Sequence, residues 1–287
     1  MFLSEGTVWP YRYRRGSSPL VVSMPHVGTF VPHRVGRAFD DCAAQRADTD
    51  WHLERLYDFL DEIGATVVAA TFSRYVVDAN RPPDGANLYP GRDTPKLCPT
   101  DTFDTRPLYR GAGPDAAEIA RRVDSVWRPY HARLEREIER VREAHGAAVL
   151  WDAHSIVPIA PRLFEGRLPD FNLGTAGGTS CDPALAQSLL VALQRHAPYR
   201  SVLDGRFKGG HITRRFGNPA GGVHAVQMEM AWDTYMRFDC PYTFDEDRAA
   251  PVRAILREQL AIAQSYAVNA AGRSRVMAAG LPPMKGT

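Results

Sequence analysis

The segment AAVLWDAHSI, residues 147–156, gives the clearest indication of the fold. Its five apolar residues from Ala147 to Trp151 are typical of a buried strand, which we expect over 147–153. Asp152 and His154 then point to the same side of that strand, because side chains alternate along it. Ligands of open α/β sheets bind at the carboxyl ends of strands, so this pair indicates a site. The alternative is a histidine that caps a loop beside an aspartate.

Strand-like and helix-like segments alternate along the chain. The other predicted strands are 19–25, 66–71, 74–79 and 223–230, with 200–206 a weaker candidate. The predicted helices are 49–63, 115–145, 183–196 and 244–270, and Pro129 should kink or divide the second. This order predicts an α/β sandwich around a mixed, mostly parallel sheet.

The chain reads as one catalytic domain, 1–272, followed by a flexible tail, 273–287. Residues 11–15 look like a solvated arm. The segments 81–114 and 155–182 lack periodicity, and loops of that length usually serve a site. We expect them to close over it.

Composition excludes several classes of function. The 287 residues include 35 basic and 33 acidic side chains, which gives no case for nucleic-acid binding. The four cysteines form no CxxC pair, so a thiolate zinc site is not expected. No apolar run is long enough for a signal peptide or a membrane span, so we expect a cytoplasmic protein.

Two strand ends carry histidine, which favours a metal site over two unrelated structural roles. His26 follows the apolar run 20–24, as His154 ends its own strand. A zinc hydrolase needs a third ligand and an open position. Asp48 and Asp50 are candidates just before a helix, although capping and the helix dipole also favour aspartate there.

The segment VHAVQMEM, 223–230, places a glutamate in a strand. Alternation puts Val226 and Met228 on one face, and Gln227 and Glu229 on the other. A buried carboxylate is costly unless it is paired or used. Glu229 is therefore either a general base or one half of a structural salt bridge.

Arginines near a predicted strand end suit carboxylate recognition, because guanidinium binds a carboxylate with two parallel hydrogen bonds. Arg74, Asn80 and Arg81 form this group, and an internal Arg74–Asp78 salt bridge is a second interpretation. The glycine-rich stretch 207–222 adds Lys208, Arg214 and Arg215, for which a phosphate cradle is one possibility. It lacks a phosphate-loop motif, and the chain has no GxSxG nucleophile elbow.

Eight segments in order from about residue 20 to 236 resemble the N-formylglutamate amidohydrolase (deformylase) family. They are SMPHVGTFVP (23–32), DTDWHLERLYDFL (48–60), SRYVVDANRPPDGANLYPGRDT (73–94), LYR (108–110), LWDAHSI (150–156), PRLFEGRLPDFNLGT (161–175), GRFKGGHITRRFG (205–217) and HAVQMEMAWDTYM (224–236). The resemblance implies a phosphorylase/hydrolase-like three-layer α/β/α fold, related to zinc carboxypeptidases and aspartoacylases. His211 stands where the family pattern has tyrosine.

The resemblance also implies a zinc site on His26 and His154. Thr29 occupies the position of the carboxypeptidase glutamate, so we take Asp50 as the third ligand, with Asp48 as the fallback. Glu229 would match the general base. Co²⁺, Mn²⁺ or Fe²⁺ would also suit such ligands.

These features lead to a hypothesis of metal-dependent hydrolysis of N-formyl-L-glutamate to formate and L-glutamate, a step of histidine degradation. The substrate carboxylates would be held by Arg74, Asn80, Arg81 and Arg214, and Asp152 would orient a ligand. The alternatives are a hydrolase of another N-acyl amino acid or of a C-terminal peptide bond, and a non-catalytic carboxylate-binding protein. The oligomeric state is left open.

Overall fold

The computed structural model describes residues 8–239 and 241–278, with side chains described as far as residue 272. The strands are β1 Tyr11–Arg14, β2 Leu20–Met24, β3 Thr66–Ala70, β4 Ala148–Ile156, β5 Phe171–Gly174, β6 Ser201–Leu203, β7 Val223–Ala231, β8 Met236–Arg237 and β9 Thr243–Phe244. The helices are α1 His33–Gly36, α2 Leu53–Leu56, α3 Ala116–Arg122, α4 Arg128–His145, α5 Pro183–Leu193, α6 His211–Phe216 and α7 Glu246–Ala278.

A seven-stranded sheet organises the protein, in the order β1-β3-β2-β4-β7-β5-β6. The pairs β2–β3, β2–β4, β4–β7 and β5–β6 are parallel, whereas β1–β3 and β5–β7 are antiparallel. The sheet is therefore mixed and mostly parallel, which confirms the predicted α/β class. The short strands β8 and β9 form a separate antiparallel pair.

The central strands are buried on both faces, as parallel sheets covered by helices usually are. On one face Val149, Trp151 and Val226 pack in a cluster with Leu256 and Leu260 of α7. On the other face a second cluster joins side chains of β2, β4 and β7 to α4, namely Val21, Leu150, Ala225, Tyr130, Leu134 and Ile138. The polar residues at the carboxyl ends of β4 and β7 continue this second face.

The strand predicted over 74–79 is wrong. Val76 N–H donates to the Ser73 carbonyl in a turn, and the Ser73 hydroxyl accepts from Tyr75 N–H. These local hydrogen bonds compete with a sheet ladder. The free edge of β3 is taken instead by β1, because Tyr11–Arg14 pairs antiparallel with it. The prediction of a solvated arm over 11–15 is therefore also wrong.

The observed helices lie near their predicted positions, but several of them differ in length from the prediction. The segment 49–63 contains only the short helix α2 and a 3-10 turn at Asp58–Leu60. The long helix over 115–145 is divided as expected, because a π-helical segment, Val123–Trp127, separates α3 from α4 and Pro129 lies in the first turn of α4. The predicted loop 155–182 contains the last residues of β4 and all of β5, and α6 was not foreseen.

The last helix extends beyond its predicted end, since α7 continues to Ala278. The rest of the predicted tail, 279–287, lies outside the described residues, as does Cys240. Within 8–239 and 241–278, no helix has both the length and the hydropathy that a membrane span requires.

Candidate active site

Three chain segments bring their polar side chains together at the carboxyl ends of β2 and β4. His26 follows β2, His154 lies within β4, and Asp50 lies just before α2. Asp50 N–H donates to the His26 carbonyl at 3.0 Å, which fixes the aspartate beside the end of β2. Because β2 and β4 are parallel neighbours, their carboxyl ends share one edge of the sheet.

The side chains of His26, Asp50 and His154 form a compact buried group. Asp50 Oδ2 lies 3.0 Å from His154 Nδ1 and 3.7 Å from His26 Nδ1. One ligand atom from each residue lies within 4.8 Å of the others, so the group could hold a metal ion. Two imidazoles and a carboxylate are a donor set that suits Zn²⁺.

A second carboxylate faces the other nitrogen of each imidazole. His26 Nε2 lies 2.7 Å from Asp78 Oδ1, and His154 Nε2 lies 3.3 Å from Asp152 Oδ2. Both rings therefore direct Nδ1 towards Asp50 and Nε2 towards a carboxylate. For His26, this arrangement fixes the ring orientation and the tautomer, as it does in metal-binding histidines.

Asp152 and Asn80 connect this group to α6. Asp152 Oδ2 accepts hydrogen bonds from Thr213 Oγ1 at 3.2 Å and from Asn80 Nδ2 at 3.2 Å. Asn80 Nδ2 also lies 2.8 Å from His154 Nε2, and Asn80 Oδ1 accepts from Ile212 N–H at 2.8 Å. Both polar atoms of the Asn80 amide, Nδ2 and Oδ1, therefore make contacts beside His154.

The charges in this group favour ionised carboxylates. Burial raises the pKa of Asp50, but His26 and His154 outweigh burial and lower it below its usual value. The pKa of Asp78 is lowered in the same way, chiefly by His26 and Arg74 against burial. Asp152 and Asp50 raise the pKa of His154, although burial alone would lower it. A cluster this rich in negative charge matches a bound cation.

Glu229 is the register partner of His154 across β4 and β7. Its Oε2 accepts from Gln227 Nε2 at 3.1 Å, and Gln227 Oε1 accepts from Gly210 N–H at 2.7 Å. Burial raises the pKa of Glu229 to about 8, with Asp50 adding to the shift and His154 opposing it. A carboxyl group with a pKa near neutrality is suited to proton transfer.

A cavity adjoins the group, with an empty volume of about 580 Å³ including its open mouth. The predicted loops 81–114 and 155–182 contribute much of its wall, through Arg81, Tyr89, Thr94, Pro95, Phe103, Ser155, Ile156 and Leu163. Arg74 lines the cavity but is already paired, because Nη2 donates to Asp78 Oδ2 at 2.6 Å. The predicted Arg74–Asp78 salt bridge is confirmed.

Two predicted site residues lie elsewhere. Asp48 is not part of the His26 group, because its Oδ2 accepts instead from Phe103 N–H at 3.0 Å. Burial raises the pKa of Asp48 to about 6. Arg214 Nε donates to the Gly209 carbonyl, and its guanidinium lies over the ring of Tyr89, outside the cavity lining.

Other residues of the site escaped the sequence reasoning. The sequence indicates Asp78 only as a partner of Arg74, and it does not single out Arg206. Gln227 carried a usable signal, because alternation places it on the same face as Glu229. Asp78 and Arg206 carried no such sequence signal, because both lie in irregular segments whose direction depends on tertiary contacts.

Comparisons with known proteins identify the family. A family model described as N-formylglutamate amidohydrolase matches residues 18–236. The N-formylglutamate deformylases of Pseudomonas putida and Pseudomonas aeruginosa are 48% and 50% identical over 249 residues, which cover 86% of this chain and 93% of each relative.

A solved structure is also similar. The crystal structure of N-formylglutamate amidohydrolase from Ralstonia eutropha JMP134 superposes with a TM-score of 0.75 at 27% identity, covering 93% of this chain and 99% of that one. These matches confirm the resemblance of the eight sequence segments. The chain belongs to the N-formylglutamate amidohydrolase family.

Proposed function

We propose that this protein hydrolyses the formamide bond of N-formyl-L-glutamate to formate and L-glutamate, with the help of a bound metal ion. The observation that carries the proposal is the buried group His26–Asp50–His154 beside Glu229, which lines a cavity together with three arginines. Membership of the family and the names of its relatives support the substrate.

The donor set fits a metal ion on the evidence of its own surroundings. Both histidines direct Nδ1 at one Asp50 oxygen, while Asp78 and Asp152 face their Nε2 atoms. We propose Zn²⁺ on His26, Asp50 and His154, and Co²⁺, Mn²⁺ or Fe²⁺ would suit the same donors. When bound, such an ion supplies Lewis-acid stabilisation of negative charge.

The residues of the chain supply the proton transfers. The Glu229 carboxylate takes a proton from water as the water oxygen attacks the formyl carbon. It then returns that proton to the leaving nitrogen as the carbon–nitrogen bond breaks, so that formate and a free amino group result. Gln227 holds Glu229 through the 3.1 Å hydrogen bond from Nε2.

The clusters on the two sheet faces support a three-layer α/β/α sandwich of the phosphorylase/hydrolase-like type, related to zinc carboxypeptidases and aspartoacylases. We also propose a single catalytic domain over 1–272, a role in histidine degradation and a cytoplasmic location.

The test is formate release from N-formyl-L-glutamate by the purified protein, before and after chelation and with zinc added back. Activity should vanish with the chelator and return with zinc. His154→Ala should abolish it, whereas His33→Ala, at an exposed histidine of α1, should not. Release that survives complete metal removal would overturn the metal assignment. No release by the zinc-loaded protein would overturn the substrate and favour another N-acyl amino acid.

A further inference from the structure

Three arginines line the cavity, and they differ in how their charge is balanced. Arg74 is paired with Asp78, and the carboxylates around it raise its pKa although burial opposes this. Among the described residues, neither Arg81 nor Arg206 has a carboxylate within 4.0 Å of its guanidinium. Burial lowers the pKa of both. Two half-buried guanidinium groups without a paired carboxylate favour binding of an anion with two negative groups.

Arg206 shows this imbalance most clearly. Its Nε donates to the carbonyl of Leu163, and its Nη1 is buried with no hydrogen-bond partner in the described part of the chain. The guanidinium lies over the rings of Tyr89 and Phe207, 5.5 Å from each centroid. These contacts hold the guanidinium at the cavity wall. A guanidinium without a carboxylate partner suits an anionic ligand that reaches it from the cavity.

The two arginines are held by different neighbours. Arg81 Nη1 donates at 3.2 Å to the carbonyl of Asn80, whose side-chain amide contacts Asp152 and lies 2.8 Å from His154 Nε2. Arg206 is held instead by the loop wall at Leu163 and by aromatic rings. In an N-formyl amino acid the α-carboxylate is next to the amide, and a side-chain carboxylate is farther from it. The α-carboxylate therefore suits Arg81.

We propose that Arg206 binds the side-chain carboxylate of the substrate and thereby selects acidic over neutral N-formyl amino acids. The inference rests on the proposed function for the identity of the substrate. It replaces Arg214, which lies outside the cavity lining, as the arginine of the 205–217 stretch that contacts substrate.

The test compares N-formyl-L-glutamate with N-formyl-L-glutamine, which has the same shape and a neutral side chain. Arg206→Gln should lower kcat/KM for the glutamate substrate roughly 10- to 100-fold, the usual effect of a charge-assisted hydrogen bond, mainly through KM. It should change the glutamine substrate little. Arg206→Lys should recover part of the preference. The matched control is Arg136→Gln, at an exposed arginine of α4 outside the cavity lining, which should leave both substrates unchanged.

A binding measurement separates this inference from the proposed function. Titration calorimetry of the zinc-loaded protein would use glutarate, a dianion, and butyrate, a monoanion. Arg206→Gln should weaken glutarate binding by the same factor and leave butyrate binding unchanged, even if the wild type releases no formate. Equal losses for both substrates, an unchanged glutamate preference, or no glutarate binding by the wild type would overturn the assignment of Arg206, whatever the formate assay shows.

Discussion

The imidazole of His26 and the carboxylate of Asp78 are joined by a 2.7 Å contact between Nε2 and Oδ1. The other oxygen of Asp78 accepts from Arg74 at 2.6 Å, so one buried carboxylate orients a histidine and neutralises a guanidinium. Both roles depend on the negative charge of Asp78. Its removal should therefore have two separable consequences.

Asp78→Asn should lower zinc affinity about 10- to 100-fold, as loss of such an orienting carboxylate usually does. Competition with a chromophoric chelator measures this directly. The substitution also leaves Arg74 buried without its partner, which should cost about 3–5 kcal/mol of unfolding free energy. Asp239→Asn, at an exposed carboxylate, is the control and should change neither quantity. Wild-type zinc affinity in a folded Asp78→Asn protein would contradict the orienting role.

Glu229→Gln should lower kcat by about 10²- to 10⁴-fold, the usual contribution of a general base. Zinc content and glutarate affinity should stay near wild type, because the amide has the same shape. The exposed Glu139→Gln is the matched control. A Glu229→Gln protein that keeps its kcat would exclude Glu229 as the base.

The pH dependence of kcat should also identify Glu229 as the general base. Only the Glu229 carboxylate accepts a proton, so kcat should fall as the pH is lowered through its pKa. Burial raises that pKa to about 8, and a bound cation should bring it lower. Stopped-assay rates across the pH range would show an acid limb for the wild type, and that limb should be missing in Glu229→Gln.

Gly210→Ala should disturb the site through Asn80. An added Cβ would lie 2.4 Å from Asn80 Nδ2, and Asn80 is held on its other side by Ile212 and Asp152. The displaced amide should misalign His154, and misplacements of about 1 Å can cost roughly 10²-fold in rate. The control is Gly111→Ala, whose Cβ would meet nothing within 4 Å. Equal kcat/KM for the two variants would show that Asn80 does not position the site.

His131 should make the protein sensitive to acid. Its ring is buried against Trp127 at 3.7 Å between centroids, and Nε2 donates to the Ala79 carbonyl. Burial lowers its pKa to about 3, with the Ala79 hydrogen bond opposing the shift. The unfolded chain binds a proton below about pH 6.5, whereas the folded protein does so only near pH 3. This contribution to stability is therefore complete above pH 6.5 and is lost as the pH falls.

Urea denaturation between pH 7 and pH 5 measures this effect. Below pH 6.5 the free energy of unfolding should fall by up to about 1.4 kcal/mol per pH unit from this group. His131→Gln should have a shallower pH dependence than the wild type, and the exposed His33→Gln should not. Parallel curves for the wild type and His131→Gln would rule out the buried neutral histidine as the cause.

The central strands could be predicted because the apolar residues that bury them are contiguous in the sequence. Apolar runs such as those of β2, β4 and β7 are stable only in a buried core. His26 and His154 could then be identified at the ends of β2 and β4. The segment 74–79 has the same β-branched and aromatic character. It fails to form a strand because local turns and the pairing of β1 with β3 leave it no sheet edge.

Of the three cavity arginines, Arg74 and Arg81 are predicted from the sequence, whereas Arg206 could not be predicted, for a related reason. Arg206 and Arg214 belong to one segment, 205–217, and no local pattern distinguishes them. Arg206 lines the cavity because its Nε reaches the Leu163 carbonyl, and Arg214 turns to the Gly209 carbonyl. A contact with Leu163 joins residues distant in the chain, which no periodicity in either segment reveals.

The pairing of His154 with Glu229 has a consequence for how such a protein can change over time. Their spacing is set by a parallel backbone ladder in the rigid middle of the sheet, whereas the cavity wall is built from long loops. Loops tolerate insertions and substitutions far better than buried strands do. Changes in these loops could therefore admit substrates with other acyl groups or side chains, while His154 and Glu229 keep their positions in the sheet.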